Sequence, residues 1–167
     1  MRLKPVPPAP TDLETLSEAQ RALPLVPGPT DDCCARIATR LGIDRKEARV
    51  WLTFLRALGL AAEGPSGYRR TRTDLDVDSI ADTFGKRVYG ASEVLTIVAE
   101  SDDPLSAAAV FARFAEEVPR WERHRYPDGW EPVWRERVER LLEWATLFGL
   151  AERSDGRYRS GRVDRFD

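Results

Sequence analysis

The chain is poor in the residues from which metal sites, membrane spans and nucleophilic centres are built. It has two cysteines, one methionine and one histidine in 167 residues. Cys33 and Cys34 are adjacent, and His124 lies far from them in sequence, so no cysteine/histidine set has metal-ligand spacing. Vicinal side chains on a helix point about 100° apart, so the two thiols are expected to pack beside a core, with redox sensing as the alternative. No stretch approaches the ~20 apolar residues of a membrane span. Arg2 and Lys4 lead into Pro5-Val6-Pro7-Pro8-Ala9-Pro10 where a signal peptide needs an apolar core. The expectation is a cytoplasmic protein. Lysine is confined to Lys4, Lys46 and Lys86, and arginine carries nearly all other positive charge. A GC-rich or halophilic genome accounts for that bias, though the planar guanidinium fork also suits phosphate and guanine. Net charge is −2, which excludes a global pull toward nucleic acid and leaves local clustering as the only route.

Catalytic arrangements are missing too. There is no glycine-rich phosphate loop. His124 has no nearby serine or cysteine nucleophile with a third orienting group. Pro127-Asp128 and Glu131 resemble a nuclease carboxylate pair, but Pro132-Val133 stands where that motif needs lysine. Asp74, Asp76 and Asp78 alternate like the start of a calcium loop without its later glycine and closing glutamate. The reading is a protein that is not an enzyme and holds neither metal nor cofactor.

What the chain does have is a repeat. Arg45 through Leu58-Gly59-Leu60, a seven-residue spacer and Tyr68-Arg69 return as Arg135 through Phe148-Gly149-Leu150, an equal spacer and Tyr158-Arg159, at a constant offset of 90. Ala48, Trp51, Leu52, Leu55 and Leu58 fall at helical spacing, and Val138, Leu141, Leu142, Ala145 and Phe148 occupy the same places. Gly59 and Gly149 sit where a helix closes in left-handed geometry. Gly64-Pro65-Ser66-Gly67 and Ser154-Asp155-Gly156 are turn chemistry between short strands. Each copy therefore reads as helix, glycine, strand, turn, strand. The expected class is mainly α with small β-hairpins, an α+β chain of two modules.

In chain order, residues 1–10 read as a disordered or polyproline-like tail. Module one spans 11–73. Thr11 or Asp12 caps a first helix to about Leu23, Pro24 to Pro29 form a rigid connector, and Thr30 caps a second helix. Asp44, after Gly42-Ile43, caps the third. Residues 74–88 are a linker with a short helix from Ser79 to Phe84, punctuated by Gly85. Module two spans 89–162, with Ser92 and Ser106 as caps and a long aromatic loop at 118–132, and 163–167 are a tail.

Ala35 to Asp44, followed by an amphipathic helix ending Leu58-Gly59-Leu60, resembles the helix-turn-helix of winged-helix regulators of the MarR and ArsR kind. The resemblance spans residues 30–72 and implies a third helix that enters the major groove of double-stranded DNA, with the hairpin as wing. It implies base-edge contacts from Arg45, Lys46 and Arg49, with Thr53 beside them, and backbone contacts from Arg69, Arg70 and Arg72. Arg56 shares that outward side. In copy two the matching positions are Arg135, Glu136, Glu139, Glu143 and Thr146, and carboxylates repel phosphate. The wing of copy two keeps Arg153, Arg157, Arg159 and Arg162. The expected function is a transcriptional regulator reading DNA mainly through module one. Module two would pack against module one, form a homodimer or bind a partner protein, or touch phosphate through its wing alone. Trp121, Tyr126 and Trp130, together with Arg157 and Arg159, are its candidate interaction surface. The alternative is a protein-interaction scaffold of two winged helices with no DNA contact.

Overall fold

The structure is a computed structural model that describes residues 4–71, 76–125 and 127–161. The chain divides into two compact units, Met1–Val88 and Tyr89–Asp167.

Unit one contains α1 (Leu13–Ala22), α2 (Thr30–Leu41), α3 (Arg45–Ala57), β1 (Ala61–Gly64), β2 (Gly67–Arg70) and α4 (Val77–Arg87). The helix starts follow local chemistry. An oxygen of Asp12 accepts from the Thr15 amide at 3.3 Å, and one of Asp44 accepts from the Glu47 amide at 2.7 Å. The expected Thr30 cap is not formed. Thr30 is itself the first residue of α2 after Pro29, and Asp31 and Asp32 supply the negative charge that suits that end of a helix. α1 packs on α2 and α2 on α3, burying Leu16, Ala19 and Leu23 with Cys33, Ile37, Ala48, Leu52 and Leu55. Of the expected disordered tail, residues 4–10 have neither helix nor strand, yet Val6 and Pro7 are buried, because apolar side chains on that stretch find cover in the unit. α4 outruns the expected short helix in both directions, from an Asp76 cap through a buried Gly85 to Arg87. Glycine inside a helix costs only about 1 kcal/mol, and burial of Ile80, Ala81 and Phe84 outweighs that.

The Pro24–Pro29 connector is also a partner of the wing. The Gly28 amide donates to the Tyr68 carbonyl and the Tyr68 amide donates to the Gly28 carbonyl, both at 2.9 Å, and the Arg70 amide donates to the Pro24 carbonyl at 2.7 Å. Gly67 makes this possible. Its φ is +115°, and a Cβ there would sit 2.0 Å from the Gly28 oxygen.

Unit two contains α5 (Ala91–Glu100), β3 (Leu105–Ser106), α6 (Ala107–Phe114), a single 3-10 turn over Ala115–Glu117, α7 (Arg120–Arg125), α8 (Trp130–Leu147), β4 (Ala151–Ser154) and β5 (Arg157–Ser160). Its sheet has three antiparallel strands in the order β3-β5-β4, with Leu105 opposite Tyr158 and Arg153 opposite Tyr158 on the other side. Ser106 caps α6 as expected, accepting from the Ala109 amide at 3.1 Å. Ser92 does not cap: α5 begins at Ala91, after Gly90.

The expected loop at 118–132 is mostly helical. α7 fills its middle and α8 begins at Trp130, five residues before Arg135. Pro132 does not prevent this, because it lies in the first turn of α8, where a backbone N–H has no intrahelical acceptor. Side chains fasten the insertion. The Trp134 indole donates to Glu122 at 3.5 Å, the Arg123 guanidinium lies 4.8 Å from the Trp130 ring centre, and Trp130 meets Phe111 at 6.5 Å. Tyr126 lies outside the described residues.

The repeat is carried into the backbone bond by bond. The Leu60 amide donates to the Leu55 carbonyl at 2.9 Å, and the Leu150 amide to the Ala145 carbonyl at 2.8 Å. Gly59 and Gly149 donate to Arg56 and Thr146 at 3.1 Å each, with φ of +79° and +78°. This is the Schellman closure of a helix, formed twice.

Candidate nucleic-acid interface

The apolar stripe of α3 fixes which side chains can face outward. With Ala48, Trp51, Leu52 and Leu55 buried, Arg45, Lys46 and Arg49 are left exposed across the first two turns. No carboxylate pairs with these three cations among the described residues. Thr53 is half-buried, and its hydroxyl donates back to the Arg49 carbonyl at 3.1 Å, which settles its rotamer against the helix.

Arg56 has a different occupation. Its guanidinium meets Glu63 of β1 at 2.8 Å, tying the end of the helix to the wing. Tyr68 stands directly opposite Glu63, and burial, then the Glu63 carboxylate, push its phenol up. The two arginines of β2 are separated by strand alternation. Arg69, opposite Ala62, is exposed. Arg70, opposite the buried Ala61, is half-buried, and its Nε is enclosed without a hydrogen-bond partner. The structure therefore brings Arg45, Lys46 and Arg49 together on one helix face and turns Arg69 and Arg70 to opposite sides of the ribbon. Arg72 lies outside the described residues.

Behind the helix, the Cys33 thiol points to the Gly28 and Tyr68 carbonyls at 3.7 and 3.8 Å. Both cysteines are buried and free, and burial pushes each thiol up, which suppresses the thiolate that redox chemistry needs.

Unit two presents the same scaffold with other charges. On α8, Glu136, Glu139 and Glu143 are exposed. Glu136 is engaged by Arg140 at 2.6 Å, and Arg135 reaches Glu131 at 3.5 Å while lying 5.2 Å from the Phe111 ring centre. The inner side of the helix holds a residue that sequence reasoning missed. Arg137 is buried, 6% exposed, and donates to the Tyr89 carbonyl from Nε at 3.1 Å and from its terminal nitrogen at 2.8 Å. Burial pulls its guanidinium down to about 10. The available signal was Trp134, one turn earlier on the same stripe once the helix starts at Trp130.

In the second wing, Arg159 is held by Glu152 at 2.8 Å, and Arg157 shares an open cleft with Arg159, Ser154, Asp155 and Pro104. Arg153 stands on the other side of the ribbon, 5.8 Å from the Tyr158 ring centre. Trp121 on α7 is 49% exposed, whereas Trp130 is half-buried against Phe111. Of the expected interaction surface, Trp121, Arg157 and Arg159 thus face solvent and Trp130 works inside the unit. Arg162 lies outside the described residues.

Among the described residues no helix is long and apolar enough to cross a membrane, and no group of three or more histidine, cysteine or carboxylate side chains is placed to hold a metal. A family model described as "Halobacterial double winged helix domain" matches residues 1–164. No curated protein and no solved structure matches the chain.

Proposed function

We propose, from the premise that this chain belongs to the halobacterial double winged helix domain family, that it is a DNA-binding transcriptional regulator that engages duplex DNA through unit one. In this reading α3 enters the major groove. Arg45, Lys46 and Arg49 approach base edges and flanking phosphates, and Arg69 reaches the backbone from the wing. Arg70, on the inner side of the ribbon, supports the wing. Arg72, two positions after Arg70 in sequence, is assigned a phosphate contact as well. Thr53 lines the groove-facing side one turn below Arg49.

The observation that carries this reading is the trio of exposed cations on α3 with no carboxylate paired to them among the described residues, on a chain whose net charge is −2. Such a cluster is self-repelling, and a polyanion relieves it. α8, with carboxylates at the matching places, is unsuited to phosphate and takes no part in groove reading.

The test is a salt titration of binding to random duplex. Three or four phosphate contacts give a slope of roughly −3 to −4 in log K against log salt, at about 0.9 per contact. Absence of binding in dilute buffer sinks the reading. Molar salt is the second condition to measure, given the family's halobacterial designation. The screening length there is about 3 Å, so only close contacts to bases survive.

A second reading, a protein-interaction scaffold, draws on Trp121, a large apolar side chain held 49% exposed on an inserted helix. It is favoured if duplex binding is missing and Trp121→Ala abolishes capture of a defined protein partner.

A further inference from the structure

We propose that the two repeat-related helices are complementary between molecules: the cationic face of α3 on one chain docks on the carboxylate face of α8 on a second copy. The two faces occupy the same positions of the repeat; Arg45 recurs as Arg135, and beyond it the cations of α3 give way to carboxylates on α8. Lys46 corresponds to Glu136, Arg49 to Glu139 and Thr53 to Glu143, at the constant offset of 90. The exchange continues onto the hairpins, where Glu63 of β1 corresponds to Arg153 of β4.

Glu136 is taken up by Arg140 of its own helix at 2.6 Å, but the rest of both faces is unpaired among the described residues. Arg45, Lys46 and Arg49 are exposed and lack ion pairs among the described residues. Glu139 and Glu143 are likewise exposed one helical turn apart, and no cation pairs with them among the described residues. Like charges four residues apart on a helix repel, so each face is relieved by a partner of the other sign. The carboxylate face rejects phosphate, and the surface that answers it in sign is α3, its repeat counterpart in the same sequence. Each chain carries one face of each sign, so the assembly proposed is a two-fold dimer in which the contact of α3 on α8 is made twice. The same surface of α3 cannot hold a duplex at that moment, so dimer and DNA compete. That last consequence rests on the proposed DNA contact, and the dimer itself does not.

Sedimentation equilibrium of the full chain tests this. The expected result is a dimer at about 50 mM salt that weakens by about tenfold or more at about 1 M, where charges are screened within about 3 Å. E139R/E143R and R45E/R49E should each sediment as monomers, since each places like charges in both contacts. An equimolar mixture of the two variants should recover the dimer, because both contacts are again of opposite sign; misfolded variants would not recover it. A wild-type monomer in dilute buffer, a dimer that neither reversal weakens, or a mixture that stays monomeric overturns the proposal. E139R/E143R leaves α3 intact. If it binds duplex while no dimer is found, the dimer falls and the DNA reading stands. If the charge-swapped pair assembles while no form binds duplex, the reverse holds.

Discussion

Glu47 and Arg137 occupy the same place in the repeat and meet opposite fates. Glu47 is exposed in the first turn of α3, whereas Arg137 is buried on α8 with its guanidinium on the Tyr89 carbonyl. α8 starts earlier than α3, which adds Trp134 to the helix one turn before Arg137, and the Trp134 and Tyr89 rings lie 5.9 Å apart. A buried guanidinium is costly to desolvate, so its removal separates packing from charge. Arg137→Ala should destabilise unit two by about 3 kcal/mol, and Arg137→Met, which keeps the volume and drops the charge, by less than half of that. Denaturant unfolding of both variants checks the order. Tyr158 offers a pH signature at the same scale. Burial raises its phenol above the ordinary value of 10, and Glu143 and Glu139 add to this against Arg153. Between the ordinary and the folded value the unfolded chain has lost the proton and the folded one keeps it, so stability falls as pH rises through that window. Relative to Tyr158→Phe, wild type should lose at most about 1.4 kcal/mol per pH unit above pH ~10 and nothing below it. Thermal melts from pH 8 to 11 on the pair read this directly.

At the scale of elements, the helix-and-hairpin block was legible because short-range rules determine all of it. A stripe at helical spacing, a glycine closing the helix and a turn sequence suffice, and Arg45–Ala57 with β1 and β2 follow them. The third strand was not legible. β3 is two residues long, and unit one replaces it with a bridge at Gly28, so neither carries an alternating pattern. α7 and the first turn of α8 were hidden for another reason. Pro127 and Pro132 signal a break in sequence, yet a proline in the first turn of a helix costs no hydrogen bond. The bridge makes the two wing turns unequal. Gly67→Ala should force the Gly28 carbonyl away and cost several kcal/mol in unit one. Gly156→Ala, at φ +73° with nothing within 4 Å, should cost about 1 kcal/mol in unit two. Calorimetry of the two variants decides between unequal and equal losses.

Across the whole molecule, each unit has its own buried cluster: Leu16, Ile37, Phe54 and Leu55 in the first, and Phe114, Trp134, Leu141 and Trp144 in the second. A cavity in one should leave the other's fluctuations unchanged. Trp134→Ala, costing about 3–5 kcal/mol, should raise amide exchange through α5, α6 and α8 while protection in α2 and α3 stays as in wild type. The candidate site was legible to the extent that helical geometry alone settles direction. Once the stripe of α3 is known, Arg45, Lys46 and Arg49 have nowhere to point but outward. Arg69 and Arg70 were not separable in advance, because only the pairing of Ala61 with Arg70 fixes which of them faces the core. The duplicated Schellman closure has one more implication. Because both hairpins hang from their helices by equivalent hydrogen bonds, the exposed helix positions of residues 45–57 and 135–147 project from matched frames. Grafting the exposed helix identities of one onto the other leaves both wing turns untouched, so the protein supplies its own matched control, in which chemistry alone is exchanged on a constant frame.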